Sequence, residues 1–305
     1  MSLDGYRVTA VHAHPDDETL WTGGTLARLA RLGAEVTVLT CTMGECGEVI
    51  GEPYAALVAE ELDMLGPFRI RELADALAAL GVNGAAHVPR FLGGIGRWRD
   101  SGMAGTPTAE HPRAFVSSGE EAVAALAAEL GRLRPHLVLT YDADGGYGHP
   151  DHIRAHEITV AAADRLRAEA AGGADADLWG TAWAVTDRAA AAAGFAAITE
   201  VPAGWLAAGV DDIATAEGGI AVHLAEEDLA AKRAAMAAHA TQVWLGDGRV
   251  SDVNPAPARG AVDSSGAADG VWALSNLLCQ PLLPVEHYRA GSADPALLDA
   301  VLGAR

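Results

Sequence analysis

No feature of the chain restricts its fold more than residues 7–13 (RVTAVHA), which run without a break into His14-Pro15-Asp16-Asp17-Glu18. Consecutive β-branched and apolar residues suit a strand buried on both faces, as in a parallel sheet. Residues 19–32 then carry apolar side chains at helical spacing and stop at Gly33. Residues 35–41 (EVTVLTC) form a second expected strand, followed by expected helices over 54–64 and 70–80, the latter ended by Gly81. A short strand is expected at 86–88 and a Gly-rich loop over 93–107. Residues 118–133 read as a helix with Ser117 or Ser118 as N-cap and Glu121 in its first turn. A further buried strand at 136–141 (HLVLTY) precedes a long helix over 151–170.

Strands alternating with helices of this length imply an α/β fold, a mostly parallel sheet with helices on both faces. Beyond residue 178 the pattern weakens to strands at 181–186 and 220–223 and an Ala-rich helix at 226–239. Residues 247–270 are dense in Gly, Pro, Ala, Ser and Asp and read as a long loop. The 305 residues allow one large or two medium domains. No composition break marks a boundary, so the expectation is one domain, with a core over 1–175 and an irregular C-terminal part over 176–305.

Charge narrows the partners. With 21 Lys plus Arg against 41 Asp plus Glu, the net charge is −20, and an anionic surface repels nucleic acid and anionic lipid alike. No apolar run is long enough to span a membrane, and no signal peptide is visible at residues 1–10, so a cytoplasmic protein without membrane or obligate protein partners is expected. Cys41, Cys46 and Cys279 form no disulfide framework and read as buried, reduced thiols.

The chemistry sits in two loops. Where a dinucleotide fold would place G-x-G-x-x-G after its first strand, this chain has His12-Ala-His14-Pro15-Asp16-Asp17-Glu18. After the strand at 136–141 comes Asp142-Ala-Asp144-Gly-Gly-Tyr147-Gly-His149-Pro150-Asp151-His152, more than 130 residues further on. In an open parallel sheet both loops leave from the same edge, where ligands bind. Two histidines and a carboxylate form the usual catalytic zinc arrangement, and the i, i+3 pairs His14/Asp17 and His149/His152 let side chains of one turn face a common point. A neighbouring aspartate that is not a ligand can then take a proton from water. Ferrous iron suits the same donor set. His12 and His156 are expected to be supporting residues, and Trp21 and Trp98 core residues.

AHPDDE (13–18) with GHPDH (148–152) resembles the LmbE-like, or PIG-L-type, zinc N-deacetylases, Rossmann-like enzymes that remove acetyl from N-acetylglucosamine derivatives. RFLGGIGRWRDSGMAGTP (90–107), TCTMGECGEVIG (40–51), FRIRELADALAALG (68–81) and ALSNLLCQPLLPVEHY (273–288) are similar to the branch of that family acting in mycothiol synthesis on N-acetylglucosaminyl-inositol. The resemblance implies zinc ligation by His14, Asp17 and His152, with Asp16 as general base. His149 would stabilise the oxyanion and protonate the leaving amine, oriented by Asp151, and Tyr147 would polarise the amide carbonyl. Arg69, Asp100, Met103 and Glu48 would hold the sugar and inositol. Two rival readings share part of this pattern: a mycothiol S-conjugate amidase with similar ligands, and a sugar-binding protein without turnover, which would need neither Asp16 nor His149.

Overall fold

The computed structural model describes residues 2–170 and 179–303. Six strands, β1 (Arg7–His12), β2 (Glu35–Thr40), β3 (Leu137–Tyr141), β4 (Gly180–Val185), β5 (Ile220–His223) and β6 (Val285–Ala290), make one sheet in the order β2-β1-β3-β4-β6-β5. β1 runs parallel to β2 from Arg7↔Glu35 to His12↔Thr40 and parallel to β3 from Val8↔Leu137 to Ala10↔Leu139. β3 and β4 are also parallel, whereas β6 is antiparallel to both its neighbours.

The helices are α1 (Asp17–Leu20), α2 (Gly23–Arg31), α3 (Leu65–Leu80), α4 (Gly119–Leu133), α5 (Pro150–Ala170), α6 (Arg188–Ala196), α7 (Glu226–Ala238) and α8 (Pro295–Leu302). Alternate residues of each central strand serve two cores. Val8, Ala10, Leu137 and Leu139 pack with Leu26, Leu73, Leu77 and Leu298 on one face. Val11 and Val138 pack with Leu126, Leu130 and Ile158 on the other. This two-sided burial is why the strands read as continuous apolar runs. It also fixes the site: β1 lies between β2 and β3, chain order reverses beside it, and the carboxyl ends of β1 and β3 open into one crevice.

Several expected elements differ. The helix over 19–32 is two helices, broken at Thr22, whose backbone (φ −134°, ψ 0°) leaves the helical region while its hydroxyl donates to the Glu18 carbonyl (3.1 Å). The first amides of α2 have no side-chain cap from Thr22. Instead the Glu286 carboxylate, from β6, accepts from Gly24 N–H (2.9 Å) and Thr25 N–H (2.8 Å). Lys232 donates to the same carboxylate at 2.6 Å, so the helix end and a buried ammonium share one anion. The expected helix at 54–64 is a 3-10 turn, Glu52–Leu57, with no buried residue to anchor it. α3 starts at Leu65 rather than residue 70, since Pro67 falls in the first turn, where its missing N–H costs nothing. The expected strand at 86–88 is a turn with Val88 exposed, and Phe91 makes the bridge to Thr40 instead. Ser118 stands at the N-cap of α4, but its hydroxyl accepts from Arg154 (3.1 Å), not from the helix.

The C-terminal part holds a four-stranded sheet (Leu206–Ala207, Leu278–Pro281, Val271–Ala273, Trp244–Leu245) and the pair Ile198–Glu200 with Ala261–Val262. The latter interrupts the expected loop over 247–270. The expected division at 175/176 lies outside the described residues.

Candidate metal centre and catalytic site

β1 ends at His12, and the chain turns at Asp16, whose φ of 120° lies in a region that costs a non-glycine residue roughly 1–3 kcal/mol. The turn points His14 and Asp17 across the crevice at His152, in the first turn of α5. Asp17 Oδ2 lies 3.4 Å from His14 Nδ1, and Asp17 Oδ1 lies 3.3 Å from His152 Nε2. One ring nitrogen each of His14, His149 and His152 lies within 4.8 Å of the others.

Hydrogen bonds on the far side of each ring favour one tautomer of the neutral imidazole. His152 Nδ1 donates to the Gly145 carbonyl (3.2 Å), so its buried Nε2 is a bare lone pair without a partner. His14 Nε2 lies 3.2 Å from Asp151 Oδ2 and 3.5 Å from Asp100 Oδ1, so its proton faces those carboxylates and its Nδ1 lone pair faces Asp17. With each ring neutral and its far nitrogen donating, two imidazole lone pairs and a carboxylate converge, an arrangement that needs a cation between them, either the proton that raises His14 or a metal ion. The donors fit a divalent metal.

Charge in the cluster is strongly coupled. Burial would raise the Asp17 carboxyl, but His152 and His14 outweigh it and hold it well below the usual range. Burial would lower His14, but Asp100, Asp151 and Asp17 outweigh it and hold it well above. Asp16 behaves differently: burial pushes it up to about 6, against the pull of the Arg69 guanidinium. A carboxylate poised there can both take and return a proton near neutral pH.

Two expected roles need correction. Asp151 does not orient His149 through its carboxylate, which binds His14 and accepts from Ser101 N–H (2.9 Å). Only its main-chain N–H reaches His149, donating to Nδ1 (3.1 Å), which leaves the His149 proton on Nε2. Burial, with His14 and His152 beside it, pushes His149 down to about 3, so this imidazole rests neutral. Arg69 and Asp100, the expected substrate-holding residues, are buried and already carry protein partners. Arg69 is buried within α3, where it donates to the carbonyls of Pro15 and Gly44 (2.8 Å for the latter) and pairs with Asp16 Oδ1 at 3.2 Å. Gly44 permits that approach, since a Cβ there would lie 2.1 Å from the guanidinium. Asp100 accepts from Cys46 N–H (3.1 Å) and Gly102 N–H (2.8 Å) beside His14.

Tyr147 and Met103 stand exposed, as does Glu48, whose carbonyl accepts from Gln242 (2.9 Å). The Tyr147 ring lies edge-on to His152 at 5.1 Å and His149 at 6.1 Å. Its turn needs glycine at 146, with φ +67° and a virtual Cβ only 2.2 Å from the Trp21 ring. Tyr141 stacks on His152 at 4.2 Å and 7°, and its hydroxyl accepts from Ala13 N–H (2.9 Å), tying the two motif loops together. Neither Tyr141 nor the Arg69–Asp16 pair carries a local sequence signal. His12 bonds Thr22 (2.9 Å) and His156 bonds the Tyr141 carbonyl (2.9 Å), as supporting residues should. Trp98 is core, and Cys41 and Cys279 are buried. Cys46 is half-buried rather than buried, with burial pushing its thiol up to about 12.

A Rossmann-like sheet with paired imidazoles, a carboxylate and a free neighbouring aspartate at its switch point is the framework of a metal-dependent hydrolase. The family model described as PIG-L: GlcNAc-PI de-N-acetylase matches residues 9–163, and the chain belongs to this PIG-L, or LmbE-like, family. It is 51% identical over 294 residues to the "1D-myo-inositol 2-acetamido-2-deoxy-alpha-D-glucopyranoside deacetylase" of Corynebacterium diphtheriae, covering 96% of this chain and 95% of the relative. A protein of the same name from Rhodococcus erythropolis is 47% identical over 303 residues, covering 97% and 95%. Among solved structures, a deacetylase triple mutant of the teicoplanin biosynthetic pathway aligns with a TM-score of 0.48 at 20% identity, covering 77% of this chain and 82% of that chain.

Proposed function

We propose that the protein hydrolyses the acetamide of N-acetylglucosaminyl-inositol, giving acetate and the free amine, with zinc held by His14, Asp17 and His152. The observation that carries this is the pair of bare imidazole nitrogens facing Asp17, beside an Asp16 that is not part of the donor set. Its relatives at about half identity, matched over nearly their whole length, support the substrate class. Their name also supports an enzyme acting on a small amino sugar. Residues 1–305 are taken as one domain, since β6 of the C-terminal part lies inside the main sheet.

When bound, the cation supplies Lewis acidity that polarises the acyl oxygen and makes a water proton easier to remove. Asp16 takes that proton, its own affinity raised by burial to the range where transfer is nearly balanced. His149 presents Nε2–H, a donor for the acyl oxygen as negative charge develops on it. Resting neutral, His149 carries no extra proton for the amine, so the proton that Asp16 takes from water is the one returned to the leaving nitrogen. Asp151 and Asp100 keep the His14 proton on Nε2 and the other nitrogen free. Tyr147, exposed beside both histidines, supplies a hydroxyl near the carbonyl. Arg69 and Asp100, beside Asp16 and His14, are the charged groups nearest the site for the substrate hydroxyls, and Glu48 and Met103 stand exposed as further candidates.

The test offers metal-defined protein N-acetylglucosaminyl-inositol and a mycothiol S-conjugate, and measures primary amine released. Preference for the acetylated sugar is expected. Faster cleavage of the conjugate would assign the protein to the amidase reaction instead.

A further inference from the structure

The motif His14-Pro15-Asp16-Asp17-Glu18 carries three carboxylates, and the chemistry above uses two. Glu18 is fully buried, has no contact with the ring nitrogens of the metal cluster, and faces the other way. One of its oxygens accepts from the main-chain N–H of Asp16 (3.0 Å). The other lies 2.6 Å from Nε2 of His239, also fully buried and 221 residues further along the chain. The amide that Glu18 holds belongs to the residue with φ 120°, so the carboxylate grips the strained point of the turn. Arg69 grips the same residue from the side-chain end, at Asp16 Oδ1, and also holds the Pro15 carbonyl.

His239 is itself fixed. It follows α7, and two residues on, Thr241 gives its N–H and hydroxyl to Glu72 of α3 at 2.8 and 2.7 Å. Glu72 and Arg69 lie three apart on the same helix. One helix therefore holds both ends of a clamp that closes on Asp16.

We infer that Glu18 and His239 are positioning residues for the proton-transfer step, holding Asp16 in the strained conformation that aims its carboxylate at the crevice. The inference rests on Asp16 acting as the base in the proposed deacetylation. Its physical content is that the conformation is too costly to persist unassisted and that a misplacement of about 1 Å can cost on the order of 100-fold in rate.

The experiment compares Glu18→Ala, Glu18→Gln and His239→Ala with wild type for kcat, KM and metal content, and determines the crystal structure of each folded variant. Glu18→Ala should lose roughly 10- to 100-fold in kcat with KM within about twofold and metal retained. Glu18→Gln keeps an oxygen for the Asp16 amide and should recover most of that loss. In the Glu18→Ala crystal, Asp16 should leave positive φ and its contact with Arg69. Lys232→Met serves as the structural control. It breaks another buried ion pair and should lower thermal stability while leaving kcat within about twofold. If Glu18→Ala does not fold, His239→Ala against Glu18→Gln makes the same comparison. Wild-type kcat in Glu18→Ala with Asp16 unmoved overturns the inference, as does a kcat loss that only tracks lost metal. A wild-type protein inactive on the sugar fails the proposed function alone, and the Asp16 backbone in the variants then decides the clamp.

Discussion

Asp16 works as a base only while ionised, and burial places its titration near pH 6. The value of kcat/KM is therefore expected to fall as pH drops through about 6, and a pH–rate profile with no acid limb in that region would contradict this. Asp16→Asn should keep the metal and lose roughly 10²–10⁴ in kcat, the usual contribution of a positioned base. Asp151 and Asp100 act on the metal through His14, so alanine at either position should weaken metal affinity by about 10- to 100-fold, measured by competition with a chelator. Unchanged affinity would contradict this. The resemblance implies other roles, Asp151 orienting His149 and Asp100 holding the substrate, and the hydrogen bonds show why a motif leaves such roles open. A motif states which residue types lie near a site, while the direction of a carboxylate depends on which amides reach it, here those of Ser101, Gly102 and Cys46. The residues expected to face a metal were legible because His14 and Asp17 lie within 5 positions of the end of β1 and His152 lies 11 beyond β3. The Arg69–Asp16 and His239–Glu18 pairings were not, since the partners lie 53 and 221 positions apart and meet only through helix packing.

At the scale of elements, helix ends show how the C-terminal part supports the core. The amides at the start of α2 depend on Glu286 of β6, which also neutralises Lys232. Glu286→Ala leaves that ammonium buried and unpaired and should destabilise the protein by about 3–5 kcal/mol in denaturant unfolding. The N-cap of α6 is more local: Asp187 accepts from Ala190 N–H (2.9 Å), and its loss to alanine should cost about 1 kcal/mol. The Ala190 hydrogen bond, outweighing a small burial effect, lowers the Asp187 carboxyl below its ordinary value. The cap's contribution is thus full above the usual carboxylate range and fades as pH falls through the lowered folded value. Strands β1 to β3 were readable because both faces are buried and the apolar run is continuous. β6 (VEHYRA) was not, because the adjacent Glu286 and His287 break both an apolar run and an alternation, the first of them buried, and the strand enters the sheet antiparallel behind a proline. The helix expected at 54–64 had the periodicity but no apolar surface to cover it, and Leu62 and Met64 remain exposed.

Across the whole molecule, the two motif loops meet only because the sheet places β1 and β3 side by side at its switch in strand order. Among the described residues no helix is long and apolar enough to cross a membrane, and the charge of −20 leaves a cationic partner surface as the one the fold would attract. Everything proposed for catalysis depends on a cation between His14, Asp17 and His152, so the most direct measurement titrates metal into stripped protein. Activity on N-acetylglucosaminyl-inositol should be absent after chelation and should return with zinc or ferrous iron to a plateau at one equivalent per chain, with His152→Ala failing to regain it. Full turnover by demonstrably metal-free protein would contradict the account.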